Sequence, residues 1–235
     1  MRSHRELTRD NARSQMTDQR AILFDLDGTL IDTTSLILAC FEHSWQTVAA
    51  RSHDRETLIA TFGMPLREAV SLLATDRDRS LDGDQVERLL SEYRSFNLVN
   101  HDGMIRRFPG ARQVLAQLKA RGYLIGVVTS KGRELGRRGL ELCSLDCLLD
   151  VAVFLEDTDH HKPRPEPVLK ALERLNARPD LAVYVGDSRH DLIAGRAAGV
   201  RTVAAMWGPG PREMLEQQHP DFSAESISDL LEIFD

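Results

Sequence analysis

Apolar residues run along this chain in two textures, and the switch between them sets the expected architecture. Ala21-Ile22-Leu23 is an apolar run too short for a helix and suited to a buried strand. From Ser35 to about Arg107 the apolar positions follow helical spacing and give no convincing strand. Leu36, Ile37, Cys40, Phe41 and Trp45 form one helical stripe, with Ser35 as a candidate cap. Leu58, Ile59 and Phe62 belong to a second helix that stops at Gly63, before Pro65. Val70, Leu72 and Leu73 mark a third; Val86, Leu89, Leu90, Tyr93, Phe96 and Leu98 mark a fourth. After Pro109-Gly110, helices and strands alternate. Helices are expected around 114–121, 135–142, 165–175 and 191–198, and strands at 123–128, 151–154, 181–185 and 200–204. Nearly continuous apolar strands separated by helices predict an α/β fold, a parallel sheet with helices on both faces. The expected division is a polar, mobile tail over 1–19, a core formed by 20–34 and 108–235, and an all-helical insertion over 35–107.

Right-handed crossovers bring the carboxyl ends of parallel strands to one edge, where such sheets bind ligands. Three expected strand ends carry polar chemistry. The first is Phe24-Asp25-Leu26-Asp27-Gly28-Thr29-Leu30. A period of two puts Asp25 and Asp27 on one side of the chain and turns Leu26 away, and Gly28 permits a sharp turn. Two carboxylates held close keep a high proton affinity unless a cation joins them, which suits metal-assisted chemistry. The string does not fit an EF-hand, because Ser35-Leu36-Ile37 stands where a bidentate glutamate would be needed. Thr129 and Ser130 close the second strand, offering a hydroxyl and a backbone N–H to a phosphate oxygen. Gly186-Asp187-Ser188-Arg189-His190-Asp191 follows the third, with Asp191 one helical turn beyond Asp187. Lys162 lies between these segments, its projection constrained by Pro163, Pro165 and Pro167.

Composition narrows the function class. The chain has 235 residues and a formal charge of −6, which argues against a nucleic-acid partner. No apolar run approaches the ~20 residues a membrane-spanning helix needs. Cys40, Cys143 and Cys147 show neither disulfide nor zinc spacing, and Cys143 and Cys147 are spaced as two core positions of one helix. The expectation is a reduced cytoplasmic protein, a monomer or weak homodimer.

Taken together, these stretches resemble the four motifs of the haloacid dehalogenase-like (HAD) phosphohydrolases, in order and over nearly all of the chain from residue 20. The resemblance implies a Rossmann-like core, with the helical insertion as a cap of the C1 type. It implies that Asp25 is the nucleophile, forming an aspartyl-phosphate, and that Asp27 is the general acid and base. Thr129, Ser130 and Lys162 would then hold phosphoryl oxygens. Asp25, the Asp27 carbonyl and Asp187 would bind Mg²⁺, with Asp191 as an outer ligand or a partner of Lys162. Four carboxylates against Lys162 leave a formal −3, so a divalent cation is expected on charge alone.

Within that family, dehalogenases normally lack an equivalent of Asp27, and a phosphonatase would need a cap lysine that 35–107 does not contain. Phosphomutases and catalytically silent relatives remain as alternatives. The overall pattern resembles the phosphoglycolate phosphatases of this family and, more closely, its bacterial inorganic pyrophosphatases. The closer resemblance is carried by the softer stretches Phe62-Gly63-Met64-Pro65-Leu66, Glu92-Tyr93-Arg94 with Asn97 and His101-Asp102, and Met214-Leu215 with Pro220-Asp221-Phe222. The expected substrate is a small anionic phosphate compound, with pyrophosphate first and phosphoglycolate second. Gly63 and Arg67, where Gly and Pro break the helical pattern, are the expected specificity residues.

Overall fold

The computed structural model describes residues 17–75 and 81–235. Six parallel strands form one sheet. Their spatial order is Val151–Val153 (β5), Leu124–Val128 (β4), Ala21–Phe24 (β1), Ala182–Gly186 (β6), Arg201–Ala205 (β7) and Phe222–Ala224 (β8). Phe24 is in register with Val127 on one side and Val185 on the other. The central three strands therefore end at one level, which is what brings their polar successors together.

Successive residues of a strand point to opposite faces, and the core divides accordingly. Ile22, Phe24, Val127 and Val185 belong to one apolar cluster, with Val114 and Leu118 of Ala111–Ala120 (α5). Leu23 and Tyr184 belong to the other, with Leu172 of Glu166–Leu175 (α7) and Ala194 of Arg189–Ala197 (α8). Both faces are covered, as the continuous apolar strands require.

Among the described residues, four helices run between Ile31–Asp32 (β2) and Arg106–Arg107 (β3): Thr34–Ala49 (α1), Arg55–Ile59 (α2), Leu66–Ala74 (α3) and Gly83–Met104 (α4). Leu36, Trp45, Leu89 and Tyr93 join α1 to α4 and continue the first core cluster. Arg133–Leu142 (α6) follows β4; Arg212–Glu216 (α9) precedes β8, and Leu230–Ile233 (α10) follows it.

Several expectations need correction. β2 and β3 are short antiparallel partners, Ile31 opposite Arg107 and Asp32 opposite Arg106, and two residues leave no periodic signal. Strand β8, also unforeseen, is only three residues long. Ser35 does not cap α1, which starts one residue earlier; Asp32 Oδ1 accepts the Thr34 N–H at 3.0 Å. The second helix of the insertion ends at Ile59, short of Phe62. Cys143 and Cys147 do not share a helix: α6 stops at Leu142, leaving Cys143 buried and Cys147 exposed in a short 3-10 turn. Of the expected mobile tail, residues 1–16 lie outside the described residues. Residues 17–19 are tied down, Thr17 N–H bonding to Asn176 O at 2.8 Å and Gln19 Nε2 to Gly122 O at 2.8 Å.

Beside β5, Asp157 accepts the Phe154 N–H at 2.8 Å and pairs with Arg133 at 2.8 Å and with Arg174. Burial works to raise its pKa, but the bonds from Arg174, Phe154 and Arg133 prevail and hold the carboxyl well below its usual range. A depressed folded-state pKa stabilises the fold above the unfolded value of about 4, and that contribution is lost as pH falls below it. Asp157→Asn is expected to destabilise the protein by about 2 kcal/mol at pH 7, and by much less at low pH. Denaturant unfolding at the two pH values checks this; equal stability at pH 7 would show that the cluster contributes nothing.

Candidate active site

Strand ends and their loops build the site. Asp25 follows β1 directly, its N–H bonded to Val185 O at 2.9 Å, and Thr129 follows β4, its N–H bonded to Val153 O at 3.0 Å. Asp187 follows β6, and Asp191 lies in the first turn of α8. All four are buried. Leu26 packs into the apolar core, while Asp25 and Asp27 both line the cavity above it, as their spacing predicted.

Lys162 sits at the centre, 2 % exposed. Its ammonium donates to Asp25 Oδ1 at 2.7 Å, Asp191 Oδ1 at 2.7 Å and the Tyr184 hydroxyl at 3.2 Å, so its three hydrogens have three acceptors. Burial works against the charge, but Asp191 and Asp25 outweigh it and raise the Lys162 pKa above its ordinary value. The second oxygen of Asp191 accepts the Ser188 N–H at 3.0 Å and its hydroxyl at 2.5 Å. Burial alone would raise the Asp191 pKa, yet Lys162, Ser188 and Tyr184 lower it, so Asp191 is held ionised. It is fully engaged as the partner of Lys162.

Asp25 and Asp187 differ from it. Burial, with Asp191 and Asp27 nearby, pushes Asp25 up to about 7 despite Lys162. Burial, Asp25 and Asp191 push Asp187 well above its ordinary value, although Asp187 Oδ1 accepts the Thr29 hydroxyl at 2.7 Å. Oxygens of Asp25, Asp187 and Asp191 lie within 4.8 Å of one another. Because Asp191 is spent on Lys162 and Ser188, the free oxygens are those of Asp25 and Asp187. Hard, close, buried carboxylate oxygens with too little positive charge fit a divalent cation, which would return both groups to the ionised form.

Two glycines make room for this. A Cβ on Gly28, whose φ is +87°, would lie 2.3 Å from Asp187 Oδ2, and one on Gly208 would lie 2.3 Å from Asp187 Cβ. Sequence reasoning found Gly28 but missed Gly208, Thr29, Tyr184 and Trp207, whose Nε1 holds Thr29 O at 2.9 Å.

The most consequential omission is Lys131. Its ammonium donates to both oxygens of Asp27, at 3.0 and 3.1 Å, and its backbone N–H bonds to Thr129 Oγ1 at 3.1 Å. The signal was present: the arginine-rich chain has only four lysines, Lys119, Lys131, Lys162 and Lys170, and Lys131 directly follows Thr129-Ser130. Counting it changes the charge argument. Four carboxylates against two lysines leave −2, which one divalent cation cancels.

Above the carboxylates lies a cavity of 410 Å³ between the sheet edge and the helical insertion. Thr129, Ser130 and Lys131 form its floor with Asp25 and Asp27; Phe62, Gly63 and Met64 of the α2–α3 loop and Arg94 and Asn97 of α4 form its roof. Ser130 donates its hydroxyl to Gly63 O at 2.7 Å, and a Cβ on Gly63, at φ +84°, would lie 2.4 Å from Ser188 Oγ. The Gly63 loop thus touches the sheet edge directly. Arg67 does not: it is exposed and makes a fork with Glu87 at 2.6 and 3.0 Å. Helical periodicity explains this, since Leu66, Ala69, Val70 and Leu73 occupy the inner face of α3 and leave Arg67 outside. The cation that the roof supplies is Arg94.

The family model described as haloacid dehalogenase-like hydrolase matches residues 22–205. The chain belongs to the haloacid dehalogenase-like hydrolases. It is 39% identical over 212 residues to Pyrophosphatase PpaX of Bacillus cereus strain G9842, covering 90% of this chain and 94% of that one. Pyrophosphatase PpaX of Bacillus thuringiensis strain Al Hakam is similar to the same extent. Among solved structures, a predicted phosphoglycolate phosphatase from Haemophilus somnus 129pt superposes with a TM-score of 0.83 at 24% identity, over 94% of this chain and all of that one. A protein described as a haloacid dehalogenase-like hydrolase from Bacteroides fragilis gives 0.82 at 29% identity, over 91% of this chain and all of that one. The HAD hydrolase expectation and its α/β sheet are therefore established for this chain, which is an enzyme. Among the described residues, no helix is long and apolar enough to cross a membrane.

Gly28→Ala tests the steric argument for the cation site. It is expected to weaken Mg²⁺ or Mn²⁺ binding about tenfold, measured by titration calorimetry beside Asp187→Asn. Wild-type affinity in Gly28→Ala would show that the loop yields and that the contact with Asp187 is unimportant.

Proposed function

We propose that this enzyme is a Mg²⁺-dependent inorganic pyrophosphatase. The observation that carries the substrate is the pair of cations, Lys131 and Arg94, that line the same cavity from floor and roof. Arg94 makes no hydrogen bond or ion pair among the described residues, although its charge reaches Glu87. A substrate whose leaving group is itself a phosphate needs positive charge beyond the transferred phosphoryl group. The similarity to PpaX pyrophosphatases supports the same reading.

Mg²⁺, held by Asp25, Asp187 and the Asp27 carbonyl, would supply charge neutralisation for the phosphoryl oxygens. Asp25 attacks the nearer phosphorus through one carboxylate oxygen; the bridging P–O bond breaks and phosphate leaves with the bonding pair. Lys162 orients Asp25, and the Thr129 hydroxyl and the Ser130 N–H hold phosphoryl oxygens. Lys131 meets the charge growing on the leaving phosphate, with Arg94 above it. Water then attacks the aspartyl-phosphate, Asp27 takes its proton, and Asp25 is regenerated with a second phosphate released. The four insertion helices act as the cap that covers the reaction. Buried, unpaired Cys40 and Cys143 fit a reducing cytoplasm.

Phosphate release from pyrophosphate, with phosphoglycolate and 4-nitrophenyl phosphate as comparators, tests this. Pyrophosphate is expected to be the best of the three, with activity lost on chelation and restored by Mg²⁺. A preference for phosphoglycolate would overturn the substrate.

Two variants test the roles. Asp25→Asn is expected to lose at least ~99.9 % of turnover while keeping the wild-type melting temperature. Arg94→Ala is expected to lower the ratio of kcat/KM on pyrophosphate to that on 4-nitrophenyl phosphate about tenfold. An unchanged ratio would remove Arg94 from the leaving-group site.

A further inference from the structure

The cation pair accounts for only one wall of the cavity. Three of the insertion helices turn a stripe of one helical turn towards it: Ile37 and Phe41 from α1, Leu66 and Ala69 from α3, and Arg94, Asn97 and Leu98 from α4. The α2–α3 loop adds Phe62 and Met64. Apart from Arg94 and Asn97, these stripes are apolar. Leu98, half exposed, lines the same cavity. Asn97 Oδ1, buried and without a hydrogen-bond partner among the described residues, stands at the border between the two walls. Mostly apolar lining with a few convergent polar groups is the usual make-up of a site for an organic ligand. Pyrophosphate has no carbon and would leave the apolar wall uncovered.

We infer that the cavity also takes phosphomonoesters with an apolar body, the phosphate on the Asp25 floor and the hydrocarbon against Phe41, Phe62 and Leu98. This rests on the phosphohydrolase reading of the Asp25 site and not on pyrophosphate as the substrate. For such a substrate the leaving group is an alkoxide. Asp25 attacks phosphorus, the P–O(alkyl) bond breaks, and protonated Asp27 gives its proton to the departing oxygen, yielding the alcohol. Water and Asp27 then complete the hydrolysis as they do for pyrophosphate.

A homologous series of linear alkyl phosphates, ethyl to hexyl, isolates the apolar contact, because chain length leaves the leaving-group pKa nearly constant. Phosphate release by the Mg²⁺-loaded enzyme is expected to show kcat/KM rising up to about fourfold per methylene. Partial burial would still give about tenfold from ethyl to hexyl, mainly through KM. Leu98→Ser and Phe62→Ala are each expected to reduce that hexyl-to-ethyl ratio about threefold or more. A flat series, or no turnover of any member, would overturn the inference, as would a slope that both variants leave intact. Pyrophosphate in the same assay separates the two readings. A slope without pyrophosphate hydrolysis sustains this inference and sinks the pyrophosphatase; pyrophosphate hydrolysis with a flat series does the reverse.

Discussion

A buried ammonium between two carboxylates is the constraint on which the rest of this site depends. Lys162 is out of reach of water, and each of its hydrogens is taken by Asp25, Asp191 or Tyr184. Removing a charge from water costs several kcal/mol, so a buried ammonium holds its position only while all its acceptors are in place. Strands β1 and β6, the start of α8 and the segment before α7 each supply one member. Their mutual placement is therefore enforced by electrostatics as well as by the sheet. Asp25 has one oxygen fixed against Lys162 and lines the cavity, the placement that the proposed nucleophile role requires.

Charge is then distributed in two tiers. Below, Asp191 is held ionised by Lys162 and Ser188, while Asp25 and Asp187 are pushed towards protonation by burial. Above, Asp27 faces Lys131 at the cavity floor. The lower tier is short of positive charge and the upper tier is balanced. On the proposed function, a divalent cation belongs in the former, and the anionic remainder of the substrate would meet cations in the latter. Both demands follow from a few ångströms of strand-end geometry.

The parts of this arrangement that were legible in the sequence are those encoded locally. Ala21-Ile22-Leu23 and the later apolar runs marked the buried strands, and polar residues just beyond them marked the functional edge. Asp25, Asp27, Thr129, Lys162, Asp187 and Asp191 are brought to that edge as expected. What escaped depends on which face of an element, or which distant loop, a side chain meets. Arg67 and Arg94 are both arginines of an amphipathic insertion, and only packing decides that Arg94 faces the cavity while Arg67 pairs with Glu87. Gly208 and Trp207 sit far along the chain and reach the site only through the placement of the loop after β7. The strands β2, β3 and β8 are too short for any period to register.

That short β2–β3 ladder has a consequence for what the fold can become. The two chain segments that carry the helical insertion leave and re-enter the core side by side, Ile31 opposite Arg107 and Asp32 opposite Arg106. A module grafted through two adjacent strands imposes no span on its host. Its length and shape are free to vary without stretching the sheet or moving Asp25, Lys162 and Asp187. Selection could therefore rebuild the roof over an unchanged floor, and the chemistry would be inherited while the choice of substrate drifted.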